Sequence, residues 1–211
     1  GNPITHDKRI HDALFPLRGA MVQGDPARPN PLDDRVRSRT IEIFQSLVLK
    51  LGPLFAGLAQ RRDLSEPERA AAETALGILD QAAGEIYFGS GAYGASNRQD
   101  KEDNPVTATP GVRARFLREM ALTLSALAQV PYPSVTHHLL ETLEVFVPDD
   151  PPMIFRLVTD ALVQGGRSGG YQLESLGSDL FVRIVRRYLA DFRGVLALDD
   201  DLRQRLMRAL D

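Results

Sequence analysis

Apolar residues recur in this chain at spacings of three and four almost from end to end, and proline or glycine marks each interruption. That periodicity puts one apolar stripe on one side of a helix, and such a helix is stable only when the stripe is covered. The longest stripe runs through Val36, Phe44, Leu47, Leu51, Leu54 and Leu58. Gly52-Pro53 lies inside it, where a proline removes a backbone hydrogen bond, so a kink or a break into two helices is expected. Further stripes pass through Leu76, Leu79, Ala83 and Ile86; Phe116, Met120, Leu124 and Leu127; Val135, Leu139, Leu143 and Phe146; and Ile154, Val158 and Ala161. The C-terminal part adds Leu173, Leu176, Leu180, Ile184 and Tyr188, then Leu202, Leu206 and Leu210, while Ile10, Leu14 and Leu17 make a short first helix.

No segment reads as a strand, because VPYP at 130–133 is too short and too proline-rich for a sheet. The expectation is an all-α fold of about eight helices in antiparallel pairs, forming one domain over 1–211. The glycine-rich and polar run at about 89–109 is expected to be a flexible loop between helical parts 1–88 and 110–211. Helix starts are marked by Ser65 with Glu68 at capping-box spacing, by Thr109-Pro110, and by Asp199 to Asp201. A hydrophobic fraction of 43% supplies a core for these 211 residues.

Composition removes several function classes. With no cysteine, disulfides, thiolate zinc sites, iron–sulfur clusters and cysteine nucleophiles are excluded, and a reducing, cytoplasmic setting is the default. The formal net charge of −3 supplies no global attraction to nucleic acid or anionic lipid. No apolar run reaches the roughly 20 residues that span a bilayer, so no membrane partner is expected. The opening GNPITHDKRIHD is polar and does not read as a secretory leader. A chain that starts at Gly1 and ends on a helical pattern at Asp211 is expected to be a segment of a longer polypeptide. Arginine outnumbers lysine 22 to 3, which with abundant alanine suggests a GC-rich bacterial gene.

Shifting the sequence by 41 residues carries Leu139 onto Leu180, Leu143 onto Ile184 and Val147 onto Tyr188. Shifting by 48 carries Ile154 onto Leu202 and Val158 onto Leu206. Two helix pairs at these periods lie near the length of armadillo and HEAT units. The segments PSVTHHLLETLEVFVPDDPPMIFRLVTDALVQGG (133–166) and ESLGSDLFVRIVRRYLADFR (174–193) resemble HEAT/armadillo-type units, two amphipathic helices with a proline turn between them. That resemblance implies a right-handed superhelix, an α-solenoid; the alternative is an irregular helical bundle. EIYFGSGAYG and the helices after 109 also resemble the C-terminal helical part of large bacterial ATP-binding proteins. Neither resemblance carries functional residues across.

GSGAYG at 89–94 fits the glycine pattern of a dinucleotide-binding turn. That turn needs a strand before it and a helix after it, so that backbone amides meet pyrophosphate. Here a helix precedes and a polar run comes next, so the glycines read as a helix end and a loop. His137, His138 and Glu141 share a helix turn but fall short of a metal set and lack the HExxH pattern. They are expected on a solvated face. Asp149-Asp150 and Asp199 to Asp201 precede helices, where aspartate caps free amides. Arg183, Arg186, Arg187 and Arg193 form the densest cationic group, with Asp179 and Asp191 at ion-pair spacing. No cysteine or G-x-S-x-G nucleophile pattern occurs.

The leading expectation is therefore a non-catalytic helical-repeat module that binds a protein partner or other domains of the same polypeptide. Arg183, Arg186 and Arg187 are its candidate contacts, with no cofactor and no metal. Two alternatives come from other classes: a nucleic-acid-binding repeat using the same arginines, and an all-α enzyme with a site around His137, His138 and Glu141.

Overall fold

Several of the helices begin where a side chain or a proline deals with the free amides of the first turn. The computed structural model describes residues 8–96, 111–167 and 177–210. Among these the chain is all helical, with α1 (Lys8–Leu14), a 3-10 helix (Phe15–Val22), α2 (Pro31–Ala59), α3 (Glu66–Gly89) and α4 (Ala92–Ser96). Next come α5 (Val112–Leu127), α6 (Pro133–Phe146), α7 (Pro151–Arg167), α8 (Gly177–Leu198) and α9 (Asp200–Leu210). The described residues contain no β-strand, only an isolated bridge between Asp25 and Arg28.

α2 starts inside the proline-rich stretch 25–34, where composition favours a loop. Asn30 accepts the Leu32 amide at 3.0 Å, and Pro31 occupies the first position, where its missing N–H costs nothing. The helix then runs unbroken through Pro53 rather than dividing there. At α3 the capping box forms as its spacing predicts. Ser65 donates from its amide (2.9 Å) and hydroxyl (2.7 Å) to Glu68, which also pairs with Arg61 at 2.5 Å. The Ser65 hydroxyl, its amide and then Arg61 hold the Glu68 carboxyl down to about 2. Asp150 and Asp199 cap α7 and α9 by accepting the Met153 and Leu202 amides, each at 3.1 Å. Leu173, Leu176, Thr109 and Pro110 lie outside the described residues, as do the side chains of Leu206, Leu210 and Arg193.

Packing runs in chain order. α2 lies against α3 and α5; α3 lies against α6; α6 meets α5, α7 and α8; α7 meets α8 and α9; and α8 meets α9. One hydrophobic cluster extends from Leu14 to Ile184, with Phe44, Leu79, Phe116, Met120, Leu143 and Phe146 at its centre. A smaller cluster of Phe155, Tyr188 and Leu202 joins α7, α8 and α9, with the Phe155 and Tyr188 rings stacked at 4.4 Å. α2 is apolar well beyond what this core uses. Although no uninterrupted apolar run exists, it holds an 18-residue window of mean hydropathy 1.4, only 28% of which is buried. By length and composition alone it passes as a membrane-spanning helix; Phe44 and Val48, fully buried, tie it into the core.

The 3-10 helix is seated by two buried guanidinium groups. Arg37 of α2 donates to Gln23 O (3.0 Å), to Asp34 (2.7 Å) and to Glu119 of α5 (3.0 and 3.4 Å). Arg115 of α5 donates to the carbonyls of Val22, Gln23 and Gly24 at 3.3, 2.9 and 2.7 Å. Gly24 has φ +87°, and an added Cβ would lie 3.2 Å from Asp33 Cβ and 3.3 Å from Arg37 Nη1. Replacing Arg115 by Met takes the donor from the Val22 and Gly24 carbonyls and leaves Gln23 O to Arg37 alone, and a loss of about 2–3 kcal/mol is expected in urea denaturation.

The middle of the 3-10 helix rests on α3 at Gly89, where an added Cβ would collide with the Arg18 carbonyl oxygen. Gly89→Ala is expected to cost about 1–3 kcal/mol through this clash. Gly84→Ala puts its methyl 3.6 Å from the His138 ring, an ordinary contact. Higher helix propensity should then make that variant more stable by about 0.5–1 kcal/mol, and comparing the two melting curves checks the pair.

Candidate functional site

The arginines expected to make contacts all lie exposed on α8. Arg183 is not bound by Asp179 but reaches across to α6, donating to Glu144 at 2.8 and 3.2 Å. The hydrogen bond to Glu144 outweighs partial burial and raises the Arg183 pKa above its ordinary value. Arg187 faces Asp191 at 4.0 Å, and Arg186 extends from the same helix. The structure thus brings the three together on one helix, with Arg183 committed to the α6–α8 contact. Neighbouring arginines are likewise engaged: Arg156 with Asp199 (3.0 Å), Arg205 with Asp160 (2.5 Å) and Asp201 (2.8 Å), and Arg203 with Asp200.

His137, His138 and Glu141 separate. His137 Nε2 lies 3.4 Å from Glu141 on a half-buried face. His138 departs from the expected solvated position and turns into the α3–α6 contact. There it packs against Gly84, stacks on Tyr87 with centroids 6.0 Å apart, and approaches Asp80 at 4.0 Å. Its neighbour on the helix face, Ser134, donates to Asp80 at 2.5 Å. A serine nucleophile needs its hydroxyl on an imidazole that is oriented in turn by a carboxylate. Here the carboxylate takes the hydroxyl directly, so the order is wrong for acyl transfer. Among the described residues no three His, Asp or Glu side chains are grouped to hold a metal ion.

GSGAYG folds as the junction of two helices. α3 ends at Gly89, Gly91 turns the chain at φ +77°, and α4 begins at Ala92. Buried Ser90 donates to Tyr87 O at 2.9 Å and accepts the Ala92 amide at 3.2 Å. The turn is packed and lacks the preceding strand that a pyrophosphate site requires. Of the run at about 89–109 expected as a flexible loop, residues 89–96 form the end of α3, a turn and α4, and 97–109 lie outside the described residues.

A feature that no sequence pattern announces is an open cleft of about 430 Å³ lined by Lys8, His11, Arg18, Gln81, Glu85 and Phe88. α1 and the 3-10 helix form one wall and α3 the other. Glu85 is only 3% exposed. Its Oε1 accepts from Gln81 Nε2 at 2.7 Å, while among the described residues its Oε2 has no hydrogen-bond partner. The nearest cation, Arg18 Nη1, stands 4.0 Å away, its guanidinium lying 4.1 Å over the Phe15 ring and 5.7 Å from that of Phe88. The one signal available in the sequence is a glutamate set between Ala82-Ala83-Gly84 and Ile86-Tyr87, residues of a buried face.

No protein-family model matches this chain, and no curated protein or solved structure matches it. Chemistry at the α3–α6 contact is therefore judged on geometry, and geometry makes Ser134 a structural donor. Ser134→Ala is expected to cost about 1–3 kcal/mol by stripping buried Asp80 of that hydrogen bond, measurable by chemical denaturation.

Proposed function

We propose that the protein is a non-catalytic helical-repeat interaction module of the armadillo or HEAT kind, which docks a helix from a protein partner or from another domain of its own polypeptide. The observation that carries this reading is the order of helix contacts. α2, α5, α7 and α9 touch in succession, α3, α6 and α8 touch in succession, and α2–α3, α5–α6 and α7–α8 pack as pairs. Two rows of helices joined pairwise are what stacked helical units produce, each unit burying its apolar face on the next. The sequence shifts agree with this assignment, since 41 residues relate α6 to α8 in one row and 48 relate α7 to α9 in the other.

A stack of this kind leaves an uncovered edge at its end, and α2 provides it. Arg37 and Gly52 mark the side of α2 that meets α5, through Glu119 and the backbone of Ala126. Well around the helix from these, Leu32, Val36, Ile43 and Leu54 form a stripe exposed at 66, 39, 41 and 46%. A contiguous exposed apolar patch is the usual mark of an interaction surface. Arg35, Arg39 and Lys50 border it, with Glu42 paired to Arg39 at 2.6 Å, so the rim is net cationic. The matching occupant is an amphipathic helix carrying an apolar stripe and acidic flanks.

A photo-cross-linking amino acid at position 43 tests this in cells. The expected adduct is one protein segment whose synthetic peptide is acidic and amphipathic and binds the purified chain saturably. Ile43→Asp and Lys50→Glu, each checked for an unchanged melting temperature, should weaken that binding at least about tenfold. Adducts only to lipid or to a second copy of the chain, or a peptide whose binding ignores both substitutions, would overturn the docking assignment.

A further inference from the structure

We propose that the cleft between α1, the 3-10 helix and α3 is a binding site for a small zwitterion, a free α-amino acid with an apolar side chain. This goes beyond the docking reading and concerns a different surface, with Glu85 as its anchor. Both buried carboxylates among the described residues, Asp80 and Glu85, sit on α3. Asp80 has the Ser134 hydroxyl at 2.5 Å. Glu85 has only half its acceptor capacity met, by Gln81; its Oε2 accepts no hydrogen bond among the described residues, with Arg18 Nη1 at 4.0 Å. A carboxylate removed from water is retained when a donor meets it, and the strongest complement is a cationic nitrogen.

Arg18 is the internal candidate for that role, yet its guanidinium lies over Phe15, 4.0 Å from the carboxylate oxygen. The stacking on Phe15 holds it at the mouth of the cleft, where its N–H groups remain available to an anion. Lys8 adds a second cation to the same lining. Two cations against one carboxylate make the cleft net positive, which disfavours a simple amine or guanidinium and favours a ligand bearing both charges. In this arrangement the ligand ammonium donates to Glu85 Oε2, and its carboxylate accepts from Arg18 and Lys8. Phe88, 43% exposed at the edge, offers an apolar surface to its side chain. The volume of about 430 Å³ lies at the small end of ligand pockets, which run from about 300 to 1,000 Å³.

The test is a titration of the full isotope-labelled chain, monitored by NMR, with each proteinogenic L-amino acid in turn. The tightest binder is then compared with its analogue lacking the carboxylate and its analogue lacking the ammonium. The expected result is saturable shifts at Gln81 and Phe88 for apolar amino acids, with both analogues at least about tenfold weaker. Glu85→Gln should weaken binding by a similar factor while the unliganded melting temperature stays equal or rises, because an unmet buried charge has been removed. Arg18→Ala should weaken the amino acid but spare the amine analogue. Absence of saturable shifts with every amino acid would overturn the proposal. So would an amine analogue that binds as tightly as its parent, or a Glu85→Gln chain that loses stability yet binds unchanged. The Ile43 and Lys50 substitutions on α2 should leave these shifts unaltered, so either reading can fail alone.

Discussion

Two guanidinium groups buried side by side decide how the N-terminal segment meets the rest of the molecule. Arg37 and Arg115 both donate to the Gln23 carbonyl, one from α2 and one from α5. Their proximity is unfavourable in itself: burial and then repulsion from Arg37 lower the Arg115 pKa from its ordinary value. Arg37 also loses solvation on burial, but hydrogen bonds to Asp34 and Glu119 more than offset this and raise its pKa. Arg115 is instead held by three carbonyls in the turn 22–24. The arrangement persists because one carbonyl serves both cations and the carboxylates stand on Arg37. It fixes the exit of the 3-10 helix, and with it the line on which Phe15 and Arg18 cross α3.

That seating also shapes the cleft. Gly89 lets the Arg18 backbone come against the end of α3, closer than any side chain would permit. Arg18 is then placed over Phe15 near Glu85, and α1 supplies Lys8 and His11. A loosely attached 3-10 helix would expose Glu85 to water and relieve it. A firmly attached one keeps it half satisfied. The strength of the guanidinium joint and the state of Glu85 are thus linked through one short element.

Most of the helices are legible in the sequence because a stripe every three or four residues is a local pattern. Those through Leu79 and Ile86, Met120 and Leu124, and Leu139 and Leu143 are all core. Caps are legible for the same reason, since Ser65, Asp150 and Asp199 act within three residues of themselves. The 3-10 helix escapes because its tighter period carries no 3.6-residue signature, so Leu17 looks like a continuation of α1. Pro31 looks like loop by composition, although after Asn30 it is a good first helical residue. Arg37, Asp80, Glu85 and Arg115 escape for a deeper reason. A charged residue at the margin of an apolar stripe looks solvent-facing until a second element covers it, and that element is remote: Glu119 for Arg37, and Ser134 for Asp80. The α8 arginines show the converse, where local spacing pairs Arg183 with Asp179 and the fold gives it Glu144.

The distribution of carboxylates bears on what kind of work the surface does. Asp149 grips Arg113 at 2.9 and 3.2 Å, Glu144 grips Arg183, Asp160 grips Arg205, and Asp150 and Asp199 cap helices. Each is matched by a donor, so each is occupied in holding helices in register. Against that background an unmatched oxygen on buried Glu85 is anomalous, because an unmet buried acceptor costs about 1–3 kcal/mol. The same cost explains its position. It lies at a cleft, where an incoming N–H can repay it, instead of between two helices, where nothing could arrive. The α2 edge obeys the same logic in apolar terms: Leu32 and Ile43 are exposed where a further helix would fit, and the core beneath them is already closed by Phe44 and Val48. Both features are deficits left at the margin of an otherwise satisfied structure, and a deficit at a margin is what gives an incoming molecule its binding energy.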